Sequence, residues 1–589
     1  LDIKLPNTAL PWVIYSVEIV FKESPDRTKL KNASFEKLYD TNTFKEYFTY
    51  DGNDLGPVYT PEKTTFKLWA PTAAVVKFYR YFYATPSVYS QDGNTAVDAH
   101  GSYDMKQEAN GIWSFEMTGD CHGMYYTYFI INSSNSCEVV DPYVKSTGIN
   151  GKRGMVVNFD AQDVTPEGWD EIPLKWDGVE GYDIESNMDL TVYEAHIRDL
   201  TADESWNGTE ENRAKYAGFI EKGTKYADAH TTGFDHLVDL GFNAIQIMPF
   251  FDGANDERDP AYNWGYNPEN YNVVEGGYSK NPYDGKVRIK ELREVVMAFA
   301  NETAADGTKM RVIMDVVYNH VSSVGSSNFN RIVPKYYFRT LEDGSYSVGS
   351  GCGNEVKTEA PMMRKFIVDS VCFWVSEYKI KGFRYDLMGL MDVDTMIAIK
   401  EALYAIDPDI VNYGEPWNMN GWGGSVKEGA WETNVYSKLY HSETSPGYIG
   451  CFNDQMRDSL IKSGMNAKTD KGWVNNTTSA ASIAISVPAP IAIPMSALVS
   501  AGASLIPSPT NATLLFIRSF SISSTLFKNN FLPSSISNSK IPPTSSVKRT
   551  QIMCSSSFTD VGSFENFFIG CIGLAVGNVF SNTSRKKVN

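Results

Sequence analysis

Apolar and polar residues alternate in short runs through the first third of the chain. The clearest runs cover residues 64–82, 111–119 and 124–134, and turn residues such as Gly, Asp, Asn and Ser separate them. Alternation with a period of two is typical of strands with one buried face, and several such strands divided by turns favour a sandwich. We therefore predict an immunoglobulin-like β-sandwich over residues 46–165. One interpretation of the preceding segment, residues 1–45, is the remnant of an upstream module.

The pattern changes after a linker rich in Pro, Gly and Trp that extends to about residue 185. Apolar strands then alternate with amphipathic helices, and the predicted strands are residues 189–201, 242–252, 309–320, 382–390, 409–417 and 447–454. Repeated β/α units form either a barrel or a doubly wound sheet. No glycine-rich phosphate loop follows the first strand, which favours the barrel. The fold class is therefore α/β, with an incomplete (β/α)8 TIM-type barrel of about six recognisable strands over residues 166–474.

Two of these strands each end in a carboxylate. Asp386 follows Arg384 by two residues in GFRYDLMGL, and Glu415 ends the next strand in YGEPW. A helix predicted over residues 391–408 joins the strands, so parallel pairing would place both acids at one edge. A retaining glycosidase needs such a pair, in which one carboxylate attacks the sugar and the other donates a proton. The adjacent arginine should keep Asp386 ionised, and the drier setting of Glu415 suits an acid.

Composition narrows the choice of partners. The 589 residues carry a formal net charge of −18 at pH 7, which argues against nucleic acid and anionic lipid. The seven cysteines are far apart and form no CxxC or Cys/His cluster, so we predict neither a metal site nor a disulfide framework. Residues 1–25 lack the features of a signal peptide, and the compartment stays open between cytoplasmic and secreted.

Residues 475–589 have a different composition. No charged residue occurs from Gly472 to Ile517, and the only acids beyond are Asp560 and Glu565 in a Ser-rich sequence. A membrane helix is one interpretation, but Pro488, Pro490 and Pro494 would break it. A disordered extension is another. We favour a third, in which the tail is not native family sequence but the product of a shifted reading frame or of the opposite strand.

The strand-end motifs resemble those of type I pullulanases, the α-1,6 debranching enzymes of glycoside hydrolase family 13. The resemblance extends from about residue 44 to residue 475, and its most specific element is YNWGYNP at residues 262–268. The supporting motifs are VYEAHIRDLT, DVVYNH, GFRYDLMGL and YGEPW. Residues 46–165 are similar to the family 48 starch-binding module that precedes such barrels.

This resemblance implies a role for each motif residue. Asp386 would be the nucleophile, Glu415 the general acid/base, and Arg384 the group that orients Asp386. The residues implied to contact the sugar are Asp315, His320, Tyr266 and Trp417. No cofactor is implied; calcium at Asn319, known in some relatives, has no support in the sequence.

One family feature is absent from the sequence. The fourth motif, a His-Asp pair on the seventh strand, does not follow, because no histidine occurs after His441. The third catalytic carboxylate and strands seven and eight are missing together with this motif. We therefore expect a chain truncated before the fourth motif. A barrel without two strands has open edges and an exposed core.

The function predicted is hydrolysis of α-1,6-glucosidic branch linkages in pullulan, glycogen or limit dextrins, with retention of configuration. An isoamylase or branching enzyme of the same family is the near alternative, against which YNWGYNP argues. The alternative from another class is a non-catalytic remnant that binds α-glucan without cleaving it. An α-glucan is the expected partner in each case; the oligomeric state is open.

Overall fold

A computed structural model describes residues 10–454 and 457, with gaps at 22–23, 34, 87–97, 228, 259–260 and 440–444. The predictions for residues 475–589 lie outside the described residues. The described strands are β1 Ser16–Phe21, β2 Ser24–Asn32, β3 Gly56–Tyr59, β4 Lys63–Trp69, β5 Ala73–Tyr81, β6 Gly101–Asp104, β7 Lys106–Gln107, β8 Ile112–Thr118, β9 Tyr125–Asn132, β10 Ser136–Val139, β11 Ser146–Thr147, β12 Gly154–Met155, β13 Val192–Ala195, β14 Lys225–Tyr226, β15 His230–Thr231, β16 Ala244–Ile247, β17 Phe251–Gly253, β18 Pro268–Val274, β19 Arg311–Val316, β20 Gly382–Tyr385, β21 Val411–Gly414 and β22 Gly450–Cys451. The described α-helices are α1 Asn42–Phe48, α2 Asp199–Ala202, α3 Tyr216–Phe219, α4 Gly233–Asp239, α5 Gly285–Asn301, α6 Asn328–Ile332, α7 Pro361–Tyr378, α8 Val393–Ile406 and α9 Glu432–Lys438.

Two antiparallel sheets form the predicted β-sandwich. The first has the order β3-β4-β8-β7, and the second has the order β11-β12-β9-β5-β6, with β10 added to β9. The inward positions of facing strands carry aromatic rings: Phe66 of β4 lies 4.5 Å from Phe78 of β5 and 4.9 Å from Tyr126 of β9, between ring centroids. All three side chains are buried. The alternation seen in the sequence is therefore the pattern of a sandwich core.

A separate sheet contains the predicted β/α strands. Its six strands follow the order β13-β16-β19-β20-β21-β22, which is also their order in the chain. The last four pair in parallel, and every residue of β19, β20 and β21 is buried. Burial on both faces explains why the apolar residues of these strands do not alternate with exposed polar ones. The long helices α5, α7 and α8 lie between successive strands of this sheet in the chain.

Several predicted strands are too long. The first ends at Ala195 rather than residue 201, because residues 199–202 form α2. The second ends at Ile247, and Phe251–Gly253 forms a separate strand that pairs antiparallel with β18. Pro249 lies between the two and cannot donate a ladder hydrogen bond. The predicted linker is also packed rather than solvated, since Trp169 and Trp176 are buried.

Internal contacts divide the chain into two compact units. The first comprises Leu1–Asp183, Ala195–Gly241 and Gln246–Cys451. The second comprises Ile184–Glu194, Phe242–Ile245 and Phe452–Asn589, and in it the Asn243 side chain accepts a hydrogen bond from the backbone N–H of Thr191 at 2.8 Å. The first unit contains the whole sandwich together with strands β17 to β22. The predicted domain boundaries therefore stay predictions.

Within the first unit the sandwich packs directly on the β/α part. Tyr143 donates to Asp369 of α7 at 3.0 Å, and the backbone N–H of Asn150 donates to Glu257 at 2.7 Å. Glu257 is itself buried in an ion pair with Arg288 of α5. Along the described part of the chain, no helix combines the length and the hydropathy needed to cross a membrane.

Candidate active site

The register of the parallel strands determines how far along the sheet each acidic side chain lies. Asp315 of β19 is paired with Arg384 of β20, and both strands end within the next two residues. The backbone N–H of Asp386 continues the ladder to Val316, and that of Glu415 continues it to Tyr385. Asp386 and Glu415 thus follow directly from neighbouring strand ends. The prediction that the two carboxylates emerge side by side is confirmed.

Arg384 is the centre of the site. Its Nη1 contacts both Asp315 Oδ1 and Asp386 Oδ1 at 3.0 Å, and its Nη2 contacts Glu415 Oε1 at 2.6 Å. One guanidinium therefore ties together three carboxylates. Burial lowers the pKa of Arg384, but the charges of Asp315, Glu415 and Asp386 outweigh it and hold this pKa well above its usual value.

Glu415 is held at both oxygens. Oε1 accepts from Arg384, and Oε2 accepts from the backbone N–H of Leu387 at 3.0 Å. Leu387 has a φ of 41°, in the left-handed region that branched side chains rarely adopt. This strained residue turns the chain immediately after Asp386 and aims its N–H at Glu415. Strain of this kind is concentrated at functional sites.

A chain of polar contacts leads from Asp386 away from the arginine. Asn319 donates through Nδ2 to Asp386 Oδ2 at 2.9 Å and to its carbonyl oxygen at 2.8 Å. Asn319 Oδ1 then faces His320 Nδ1 at 2.7 Å, and His320 Nε2 faces the Tyr266 carbonyl oxygen at 2.9 Å. Both ring nitrogens face acceptors, so only an imidazolium donates to both. Burial lowers the pKa of His320, and the charge of Asp386 opposes that shift.

Tyr266 joins the YNWGYNP loop to the site. Its hydroxyl donates to Asp315 Oδ2 at 2.7 Å, and its ring lies 6.0 Å from the Arg384 guanidinium carbon. The ring is half-buried, whereas Asp315 is fully buried and hydrogen-bonded at both oxygens. A sugar therefore reaches Asp315 only if Tyr266 or Arg384 moves. Asn263 and Asn267 hold the loop by donating to Asn255.

Trp417 lies two residues beyond Glu415 and is half-buried. The backbone of Gly389, in the turn after Asp386, approaches it so closely that a Cβ on Gly389 would collide with the Trp417 carbonyl group. The indole Nε1 is buried and has no hydrogen-bond partner within the described residues. All seven predicted site residues therefore surround the ends of β19, β20 and β21, with Tyr266 supplied by the loop before β18. The individual roles predicted for them stay predictions.

Sequence reasoning missed two features of this site. It assigned Arg384 to Asp386 alone, although the same guanidinium also contacts Asp315 and Glu415. It considered Asn319 only as a calcium ligand, whereas its amide links Asp386 to His320. The position of Asn319 in DVVYNH, beside a predicted sugar ligand, was the available signal. The contact itself joins residues 67 apart in sequence, so no local pattern reveals it.

The described residues offer one cluster of acids with the spacing of a metal site. Oxygen atoms of Asp177, Asp183 and Asp409 lie within 4.8 Å of one another. Asp409 precedes β21 in the chain, whereas Glu415 follows that strand, so the cluster is at the opposite strand end. The buried guanidinium of Arg311 contacts the Asp409 carbonyl group at 3.5 Å, which places a positive charge beside the cluster. These acids are separate from the candidate active site.

Comparison with known proteins gives matches along most of the described chain. The family model of carbohydrate-binding module 48 (isoamylase N-terminal domain) matches residues 54–144, inside the predicted sandwich. A pullulanase of Bacillus subtilis is 35% identical over 448 residues, which is 75% of this chain and 56% of that protein. Chloroplastic pullulanase 1 of Arabidopsis thaliana is 31% identical over 466 residues, covering 71% of this chain and 44% of that protein. The chain thus spans about half the length of these relatives.

Solved structures of pullulanases are also similar to this chain. A pullulanase of Paenibacillus barengoltzii, crystallised with maltohexaose and α-cyclodextrin, superposes with a TM-score of 0.63 and 36% sequence identity. The match covers 74% of this chain and 63% of that one. This chain thus resembles pullulanases and contains a segment that matches a carbohydrate-binding module. The similarity to pullulanases holds in sequence and in structure.

Proposed function

We propose that this chain hydrolyses α-1,6-glucosidic linkages in α-glucans such as pullulan, glycogen or limit dextrins. The observation that carries the proposal is the contact of Asp386 and Glu415 with two nitrogens of one guanidinium at neighbouring strand ends. In the proposed architecture the six-stranded sheet is the described part of a (β/α)8 barrel, whose active sites lie at the C-terminal strand ends. The pullulanase relatives support the choice of linkage.

The proposed reaction is a double displacement with net retention. A carboxylate oxygen of Asp386 forms a bond to the anomeric carbon while the bond from that carbon to the O6 oxygen of the next glucose breaks. Glu415 gives its proton to that departing oxygen. Water then attacks the glycosyl ester, transfers a proton to Glu415 and releases Asp386 as the carboxylate. Asn319 and Arg384 would hold the two oxygens of Asp386 in position throughout.

Glu415 must hold a proton before the first step. The contact with Arg384 at 2.6 Å favours its ionised form, as does the N–H of Leu387. A protonated Glu415 would bind the Arg384 cation less strongly than the ionised carboxylate does. Substrate binding must therefore weaken the contact between Glu415 and Arg384.

The test is the release of reducing sugar from pullulan by the purified chain. We expect wild type and Asp394→Asn to release it, since the Asp394 side chain is 75% exposed and outside the site. Asp386→Asn, which keeps the shape but removes the nucleophile, should lower the rate by roughly 10⁴-fold or more. A linear α-1,4-glucan should not be cleaved. Equal rates for Asp386→Asn and wild type would refute the proposal.

A second candidate is α-glucan binding without cleavage. The observation that favours it is the ion pair of Glu415 with Arg384, in which an oxygen of the proposed acid already contacts a cation at 2.6 Å. This candidate predicts that wild type and Asp386→Asn bind pullulan equally and that neither releases reducing sugar. Affinity electrophoresis in gels containing pullulan, run beside the reducing-sugar assay, separates the two candidates.

A further inference from the structure

Trp422 is the most exposed large apolar side chain of the described residues, with 79% of its surface accessible. It ends the short 3-10 helix Met419–Trp422, which begins four residues after Glu415 at the C-terminal end of β21. Exposing an indole to water has a free-energy cost that burial would remove. An exposed tryptophan on the edge that carries the catalytic acids therefore needs an explanation.

The backbone around Trp422 is held firmly. The N–H of Gly424 donates to Met419 at 3.0 Å, and the Asn420 side chain donates to the carbonyl group of Val426 at 2.9 Å. The Gly423 carbonyl group accepts from the Val348 N–H at 3.2 Å and from the Ser347 hydroxyl at 3.0 Å. The indole is therefore displayed by a fixed loop, so that little conformational entropy would be lost when a ligand stacks on it.

The segment that supports this loop also contacts the candidate active site. Asn354 bonds to both backbone groups of Val321, the neighbour of His320, at 3.0 and 2.7 Å. Cys352 lies between Val348 and Asn354 in the chain. Burial and the charge of Asp386 both raise the pKa of the Cys352 thiol. One segment, residues 347–354, thus contacts both the site and the Trp422 loop. This segment therefore connects the Trp422 loop to the candidate active site.

The neighbours of the indole indicate which ligand it would bind. Residues 418–425 read NMNGWGGS, which has two amide side chains and no charge. An aromatic face surrounded by neutral hydrogen-bonding groups suits glucose, whose ring has an apolar C–H face and a rim of hydroxyls. Charged residues would instead be expected around a site for a phosphate or an acidic peptide.

We propose that Trp422 stacks on a glucose unit of the α-glucan at a position remote from the bond that is cleaved. This inference rests on the proposed function and adds a preference for longer chains to it. A short oligosaccharide that fills only the positions around Asp386 and Glu415 would not reach the indole. A longer one would contact both.

The test is isothermal titration calorimetry of the full chain with maltotriose and maltohexaose. Trp422→Ala should weaken maltohexaose binding by roughly 3- to 10-fold and leave maltotriose binding unchanged, whereas Trp422→Tyr should retain most of the affinity. Tyr47→Ala is the matched control, because that ring is 67% exposed and belongs to α1 near the sandwich. Its affinities should equal those of wild type.

Each other outcome has a distinct meaning. If Trp422→Ala binds both sugars like wild type, the platform is excluded while the proposed function stands. If the variant loses affinity for both sugars equally, the indole acts at the cleavage position and the remote site is excluded. If wild type binds neither sugar, the proposed function fails, and this inference fails with it.

Discussion

A single cation organises the acidic residues of the candidate site. Arg384 contacts three carboxylates, and its own side chain is almost completely buried. Buried carboxylates are tolerated only when they are paired or protonated, because transfer of an isolated charge out of water is very unfavourable. The geometry of Asp386 and Glu415 therefore depends on Arg384 as much as on the strands that carry them.

Replacement of Arg384 by methionine tests this dependence. Asp315 and Glu415 would be left buried without their cation, so we expect the free energy of unfolding to fall by about 3–5 kcal/mol. Urea unfolding followed by circular dichroism measures the change. The control is Arg258→Met, which removes an exposed ion pair with Asp256 and should cost no more than about 1 kcal/mol. A loss at Arg384 as small as that of the control would contradict the argument.

At the scale of elements, α8 determines how β20 and β21 are joined. Its N-terminus is capped by Asp392, which accepts from the Thr395 N–H at 3.1 Å and also pairs with Arg364 at 2.9 Å. The sequence predicted this helix over residues 391–408, and the structure confirms it over Val393–Ile406. No helix was predicted over residues 361–378, where the structure has α7. Apolar residues occur on most of the surface of α7, so its sequence shows only a weak helical period.

Substitution of Asp392 separates the cap from the ion pair. Asp392→Ala removes both, so we expect a loss of about 2–3 kcal/mol, of which the cap accounts for about 1 kcal/mol. Asp392→Asn keeps a capping oxygen but loses the ion pair, so its loss should be smaller than that of Asp392→Ala by about 1 kcal/mol. Thermal unfolding of the two variants beside wild type gives the order. Equal stability of Asp392→Ala and Asp392→Asn would show that the cap contributes nothing.

At the scale of the whole molecule, buried acids make stability depend on pH. Burial raises the pKa of Asp141 in the sandwich to about 6, against the opposing hydrogen bonds from the N–H of Tyr143 and the hydroxyls of Tyr128 and Tyr126. Burial likewise raises the pKa of Glu275 to about 7, with a further contribution from the charge of Glu257. The native state therefore binds these protons more tightly than the unfolded chain does. Their contribution is most favourable below about pH 4 and is lost as pH rises towards 6 and 7.

Asp141→Asn removes one of these two titrating groups. Relative to wild type, the variant should become more stable as pH rises from 4 to 7, by up to roughly 3 kcal/mol in the difference between the two. Melting temperatures at pH 4, 5, 6 and 7 measure this difference. Asp104→Asn, at a side chain that is 80% exposed, should show no such trend. A constant difference between Asp141→Asn and wild type across this range would contradict the assignment.

Local patterns predicted many of the elements and their order along the chain, but not helix α7. Alternation indicated the sandwich strands, apolar runs indicated β19, β20 and β21, and helical spacing indicated α8. Strand ends were less accurate, because the helix at Asp199–Ala202 and the antiparallel pairing of Phe251–Gly253 arise from contacts outside each segment. The packing of Trp169 and Trp176 in the predicted linker is a further case.

The sequence by itself placed the candidate site residues at strand ends, because the residue types and their positions at the ends of apolar runs are local properties. Asp386 and Glu415 could be placed at one edge from the strand-helix-strand order alone. Only the tertiary structure decided that Arg384 joins three carboxylates and that Asn319 connects Asp386 to His320. The contacts of Arg384 with Glu415 and Asp315 and of Asn319 with Asp386 span 31, 69 and 67 residues. They depend on strand register, which is set by packing across the sheet and not by any one segment.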